Sequence, residues 1–366
     1  MSLRILVLAL CMACLAAPAA AQPSAEYRLR TVLRGLAHPW ALVFLPDGRA
    51  LLTERSGRLR LVVHGRLLAE PVAGLPRDIY VEGEAGLLDV AIDPGFARNG
   101  VVYLTLTRGD RDANATCVLR GRLVGTRLED VRTLFESRPR KRGAVHNGGR
   151  MVVLADGSLV VATGEGSDRR EAAQDPRSHL GKLLRIAGDG TVPPGNPFVA
   201  RADAAPEVYT LGHRNVQGLA LVEGVLYASE HGPRGGDELN RIEPGANYGW
   251  PLATRGLDYA WVRVSPFTSL PGLVDPRYVW TPAIAPAGLL HYDGEMFPEW
   301  RGDLFVPALV GRSVRRIRLD VHGEVLEEEV LFAELDARIR TIAQAPDGAL
   351  WLVTDGAAGR VVRVGR

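Results

Sequence analysis

Residues 151–163 read MVVLADGSLVVAT: an apolar strand, an Asp156-Gly157 turn and a second apolar strand. Asp-Gly between two apolar runs is a strong local mark of a β-hairpin, because glycine supplies the positive φ that the tight turn requires. The same design recurs at 41–54 (ALVFLPDGRALLTE), 218–229 (GLALVEGVLYAS) and 342–354 (IAQAPDGALWLVT). Two looser copies lie at 86–105, where the turn is longer and passes through Asn99-Gly100, and at 288–306, where an insertion parts the strands. Closing strands follow at 58–62, 313–317 and 359–363. Six like units, spaced irregularly by roughly 45–80 residues, predict an all-β six-bladed β-propeller with loops of variable length. The 41 glycines and 24 prolines leave little room for long helices. A pair of β-sandwiches is the rival architecture, but repetition of one unit favours radial closure.

Outside the hairpins, the first residues have a different character. Met1 to Arg4 carry positive charge, Ile5 to Leu15 form an apolar run too short for a membrane span, and Ala19-Ala20-Ala21 offers a small-residue cleavage site. Residues 1–21 are therefore predicted to be a signal peptide, and 22–366 a single propeller domain that is periplasmic or secreted. Neither Cys11 nor Cys14 follows a small-residue lipobox. Cleavage would leave Cys117 alone, without an internal disulfide. A net charge of +2 gives no reason to expect nucleic acid or an acidic membrane surface as partner. No later stretch has the length of a transmembrane helix.

In a propeller the inner strands converge on a channel, so residues flanking them gather at its mouth. Five clusters have that placement: 82–86, 146–150, 212–218, 230–250 and 338–340. His146 precedes an inner strand, and histidine is the side chain best suited to take a proton near neutral pH. Glu165 ends the hairpin that His146 opens, where it can orient the imidazole. The plain alternative is a histidine that satisfies loop backbone. Arg214 and Asn215 offer a donor fork and an amide. Arg338 and Arg340 share one face of an extended chain and form a second anionic grip. Together they suit a ligand with several carboxylates or a quinone-like set of oxygens. Residues 230–251, EHGPRGGDELNRIEPGANYGWP, combine carboxylates with open glycine-rich backbone, as an oxygen-ligating cation such as calcium requires. A solvated loop is the bland reading of that stretch. No G-x-G-x-x-G joins a strand to a helix, no C-x-x-C-H is present for haem, and no G-x-S-x-G marks a hydrolase elbow.

GLLDVAIDP (86–94), HNGGR (146–150), AAQDPRSHLGKLLRI (172–186), GHRNVQG (212–218), EHGPRGGDELN (230–240), NYGWPLAT (247–254) and RIR (338–340) carry a resemblance from about His38 to the C-terminus. In these motifs the chain resembles the glucose/sorbosone dehydrogenase family of soluble quinoprotein sugar dehydrogenases. The resemblance implies a six-bladed propeller that oxidises aldose sugars at the anomeric carbon to lactones. It implies pyrroloquinoline quinone (PQQ) and calcium as cofactors and an external electron acceptor of unknown identity. His146 would be the general base and Glu165 its acidic partner. Arg214, Asn215, Arg338, Arg340 and Tyr259 would contact PQQ. Gly232 and Pro233 would give carbonyl ligands to the calcium on the quinone, and Glu238 with Tyr248 would bind a further calcium. Three positions depart from the pattern. Glu84, beside sugar and cofactor, replaces a usual glutamine, Val310 replaces a PQQ-contacting lysine, and Val145 replaces an aspartate of the glucose dehydrogenase branch. Losing one charged hydrogen bond costs about 1–3 kcal/mol, so substrate choice and PQQ affinity are the properties most exposed to these changes. Two other functions fit the residues. One is a non-catalytic calcium-binding propeller with a carbohydrate or protein partner. The other is a metal-dependent hydrolase or lactonase, with Glu84, Glu165 and Glu238 around a central cation.

Overall fold

The computed structural model describes residues 25–366, so the expected signal peptide lies outside the described residues. The strands form six four-stranded antiparallel sheets. The innermost strands are Pro39–Phe44, Leu87–Ile92, Met151–Val153, Val216–Val222, Leu290–His291 and Ile339–Gln344. They pack against one another around a ring, as a six-bladed propeller requires. The sixth blade is completed by the N-terminal strand Arg28–Leu36, which pairs with the C-terminal strand Gly359–Gly365 from Arg28 opposite Gly365 to Leu36 opposite Gly359. Hairpin chemistry had not suggested this closure, because the two partners lie at opposite ends of the chain.

The turns behave as their sequences dictate. In the first, third and sixth blades the Asp of the Asp-Gly pair accepts the backbone N–H two residues on: Asp47 from Arg49 at 3.0 Å, Asp156 from Ser158 at 2.9 Å and Asp347 from Ala349 at 3.1 Å. Gly157 then takes the positive φ of 80°. The longer connection of the second blade folds as the short helix Phe96–Asn99, and that of the fifth as a 3-10 turn over Pro298–Trp300.

Packing explains why the second strands read as unbroken apolar runs. Leu51 packs with Val102, Leu104 and Leu119 of the second blade, whereas its neighbour Leu52 packs with Trp351 and Val353 of the sixth. Successive side chains point to opposite faces of a strand, and each blade is sandwiched between two others, so both faces are buried. Removing such a leucine side chain would cost about 2–5 kcal/mol.

Arg150 is buried among the inner strands. Its guanidinium donates to Asp89 at 3.2 Å, to the Gln217 carbonyl at 3.0 Å and to the Ala287 carbonyl at 2.8 Å, and it lies 4.0 Å from the centre of the Trp40 ring. One buried side chain thus ties together residues of five blades.

Candidate active site

His146 stands at the entry to the third blade's inner strand with a backbone φ of 50°. That left-handed conformation is uncommon outside glycine. It is held on both sides: Glu84 accepts the His146 backbone N–H at 2.8 Å, and the His146 carbonyl lies against Gly164, where a Cβ would come within 2.1 Å of it. The imidazole Nδ1 meets Glu165 at 3.1 Å. Glu165 is fully buried and its other oxygen accepts the Ser167 backbone N–H. A carboxylate only accepts, so Nδ1 carries the proton and Nε2 presents its lone pair. Nε2 has no hydrogen bond among the described residues.

Beside this pair lies a cavity of about 180 Å3 whose walls include Glu84, Asn147, Gln217, His231, Arg340 and Asp355. Arg338 and Arg340 both point at one Asp355 oxygen, each at 3.5 Å. The alternation inferred from sequence is therefore real, but the two guanidiniums share a carboxylate and are not a pair of free cations. Arg340 also donates to Gln217 at 3.2 Å. Burial is the main influence on Asp355, yet Arg340, Arg338, Arg55 and His38 around it still hold its carboxyl below the ordinary range.

Arg214 comes to the same mouth from the fourth blade. It donates to the Gly232 carbonyl at 2.8 Å, and the rings of Trp250 and Tyr259 lie 5.3 and 6.0 Å from its guanidinium carbon. The Gly232 carbonyl expected to meet a cation is thus engaged by Arg214 here. Asn215 accepts the Gly148 N–H at 3.1 Å, while its buried Nδ2 has no partner. The buried Arg340 Nε is likewise unpaired.

His231 escaped the sequence reading. It lines the cavity, with Nε2 2.9 Å from the Pro286 carbonyl. Burial, reinforced by the nearby charges of Arg214 and Arg340, pushes its pKa down to about 3. So weak a base is a poor proton acceptor near neutrality, which leaves His146 as the better-placed histidine. Trp40, Arg55 and Asp355 were also missed. Asp355 could have been found: it follows the second strand of its blade as Glu165 and Glu230 terminate or follow theirs.

The expected second cation site is a small cleft of about 10 Å3 lined by Glu230, Glu238 and Tyr248, which adjoins the cavity through His231. Burial, with the Glu230 charge beside it, raises the Glu238 pKa well above the carboxylate range. The Tyr248 phenol cannot serve there, because it donates to the Arg241 carbonyl at 2.8 Å and accepts the Glu243 N–H at 2.7 Å. Only its backbone carbonyl is left for a ligand. Pro233 is buried in the adjoining loop. Among the described residues no three His, Cys, Asp or Glu side chains are gathered as metal ligands. Glu84 and Glu165 are both occupied by His146 and Glu238 sits in the other cleft, so the carboxylate cage that a propeller hydrolase would need is not formed. No described helix is long and apolar enough to cross a membrane. Val310, at the position of the missing lysine, is 61% exposed.

Fold and site together define a propeller oxidoreductase of the sugar dehydrogenase class. The chain belongs to the glucose/sorbosone dehydrogenase family, whose model matches residues 36–363. It is 38% identical to the aldose sugar dehydrogenase of Escherichia coli K12, over 90% of each chain. Among solved structures, the apo-form of the soluble E. coli aldose sugar dehydrogenase superposes with a TM-score of 0.89 at 36% identity, covering 93% of this chain and 99% of that one. The PQQ-bound aldose sugar dehydrogenase of Streptomyces coelicolor superposes with a TM-score of 0.77 at 32% identity, covering 94% of this chain and 99% of that one.

Proposed function

We propose that this protein oxidises aldose sugars at the anomeric carbon to lactones, with PQQ as hydride acceptor and His146 as general base. The observation that carries this is the Glu165-held imidazole with its free Nε2, on a residue whose chain neighbours Asn147 and Gly148 line a cavity walled by Arg55, Arg338 and Arg340. Three features fit PQQ to that cavity. Arg55, Arg338 and Arg340 line it, and Arg214 stands in the cleft that adjoins it through His231, a set of cations that suits an oxygen-rich anion. Asn215 Nδ2 and Arg340 Nε are buried donors without partners, an arrangement that costs free energy unless a ligand accepts from them. The solved S. coelicolor relative is a PQQ-bound form.

The chain's own groups would divide the work as follows. His146 Nε2 takes the proton of the anomeric hydroxyl while the hydride leaves the same carbon, so the carbon is oxidised to the lactone carbonyl. Glu165 keeps the Nδ1 proton in place and stabilises the imidazolium that results. Glu84 fixes the backbone of His146, and Arg150 ties the inner strands together. PQQ, when bound, supplies the two-electron acceptor, which a calcium on its oxygens would strengthen. For calcium, Gly232 and Pro233 would offer carbonyls at the quinone, and Glu230, Glu238 and the Tyr248 carbonyl a second site. Residues 1–21 support export to the periplasm or beyond, which N-terminal sequencing of the mature protein would check.

The deciding experiment is reconstitution with PQQ and calcium, followed by aldose-dependent reduction of an artificial dye. Absence of dye reduction across several aldoses, with PQQ demonstrably bound, removes the sugar assignment. Failure to bind PQQ sinks the whole reading.

A further inference from the structure

Lys141 is a buried cation that the chemistry above does not use. It is 2% exposed, which is rare for a lysine without a carboxylate in contact. Among the described residues its Nζ makes one hydrogen bond, to the Gly143 carbonyl at 3.1 Å. Its place is fixed from several sides. Lys141 and Asn114 exchange two backbone hydrogen bonds of 2.8 and 2.9 Å, and the Asn114 amide donates to the same Gly143 carbonyl at 2.8 Å. The aliphatic stem lies along Gly166, where a Cβ would come within 2.8 Å of Lys141 Cδ. Gly166 follows Glu165 directly, and Ala144, three residues after Lys141, accepts the Glu84 N–H at 2.9 Å. The ammonium is thus built in beside the two loops whose carboxylates hold His146.

The charges around that histidine explain what such a cation can do. Glu165 meets the ring and Glu84 meets the backbone N–H, so two carboxylates attend one imidazole. A glutamine at position 84 would accept the same N–H without adding charge. Each nearby negative charge favours the protonated imidazole, and a protonated Nε2 takes no proton from a substrate. An offsetting positive charge is needed, and few groups can give it. His231, from the fourth blade, is held neutral by burial, with its pKa near 3. Arg340, from the sixth, feels Glu84 but is shared with Asp355. Arg140 and Arg142, beside Lys141 in the chain, pair with Glu136 and Asp112. The carboxylates that act on Lys141 are Glu84, Asp168 and Glu165. Burial lowers its pKa to about 8, which leaves it mostly charged near neutrality.

We infer that Lys141 is a positioning residue that acts through Glu84 and Glu165, its charge balancing theirs so that His146 stays in the proton-accepting form near neutral pH. This inference rests on the reading of His146 as the base.

The test uses Lys141→Met, which keeps the length of the stem and removes the charge. NMR titration of the apo protein with labelled histidine follows the His146 ring, identified by its loss in His146→Ala. The midpoint should rise by about one pH unit in Lys141→Met and return toward the wild-type value when Glu84→Gln is added. Lys141→Arg should keep the wild-type midpoint. Glu84→Gln alone should lower it, which tests the charge balance even if Lys141→Met does not fold. A midpoint unmoved in either single variant overturns the inference. In the PQQ- and calcium-loaded protein the acid limb of kcat/KM should move with the same variants in the same directions, and a limb that stays fixed while the midpoint moves also overturns it. Should no aldose be oxidised at all, the sugar-oxidising reading fails, while the titration still decides whether Lys141 sets the state of His146.

Discussion

The third and fourth blades hold the same pair of side chains in the same place. His146 and His213 each precede an inner strand, and each directs Nδ1 at a carboxylate at the end of the second strand of its own blade. The distances are 3.1 Å to Glu165 and 2.8 Å to Glu230. The difference lies at the other nitrogen. His213 is fully buried, its Nε2 is 2.9 Å from the Thr210 hydroxyl, and its ring stacks on Tyr248 with centres 4.7 Å apart. His146 Nε2 has no such partner. One architectural pair has been closed over by a loop that brings in Tyr248, and the other has been left open beside a cavity. A histidine–carboxylate pair is therefore not itself a sign of catalysis; the freedom of the second nitrogen decides.

The largest expected effect tests the open pair. His146→Ala should lower kcat by about 10^2–10^4-fold, with PQQ binding, followed by absorbance titration, largely intact. Comparable activity in that variant would place the base elsewhere. The closed pair should respond in the opposite way. His213→Ala removes one of the three groups that satisfy the buried Glu230 carboxylate, a defect worth about 1.5–3 kcal/mol. Thermal unfolding should show a Tm several degrees lower, with a kcat loss far smaller than that of His146→Ala. If the two variants lose activity equally, the distinction between the pairs collapses.

A smaller effect concerns the cleft beneath the closed pair. Calcium at a hundredfold its Kd should stabilise the wild type by about 2.7 kcal/mol, measured as the Tm difference between calcium and chelator. Glu238→Gln should lose most of that gain. Retention of the full gain would move the cation away from Glu238.

How much of this could be read beforehand follows from how local each feature is. The hairpins of the first, third, fourth and sixth blades were legible because a tight glycine turn and its two strands lie within about fifteen residues of each other, and the two looser copies followed from their likeness to these. The closing strand Arg28–Leu36 was not, since its partner is at the far end of the chain. His146 and Glu165 were found because they flank one hairpin. Asp355 was passed over although it has the equivalent position in the sixth blade, since it stands in no recognisable motif. The roles of the 230–251 stretch were legible only in outline. That Arg214 takes the Gly232 carbonyl, and that the Tyr248 phenol is spent on Arg241 and Glu243, depend on loop conformations that side-chain types do not specify.

The last comparison is between Glu230 and Glu238, two carboxylates in one cleft. Glu230 is satisfied by His213, by the Arg214 N–H and by Asn240. Glu238 has Asn240 alone, at 3.1 Å, and burial with the Glu230 charge raises its pKa above the ordinary 4.5. Without a cation, the folded protein then holds a proton that the unfolded chain has already released. The stability this contributes is complete below pH 4.5 and declines as pH rises toward the raised value. Asp237, raised by burial to about 6, acts in the same sense. Lys141 and Lys182, lowered by burial to about 8 and 7, act in the opposite one, since they lose stability as pH falls. The informative quantity is therefore the wild-type Tm minus that of Glu238→Gln, in chelator, across pH 5 to 8. It should fall with rising pH, because only the wild type must ionise residue 238. Saturating calcium should reverse the slope, since the cation binds the ionised form. Parallel curves in chelator would show that Glu238 ionises freely and that the cleft is not built for a cation.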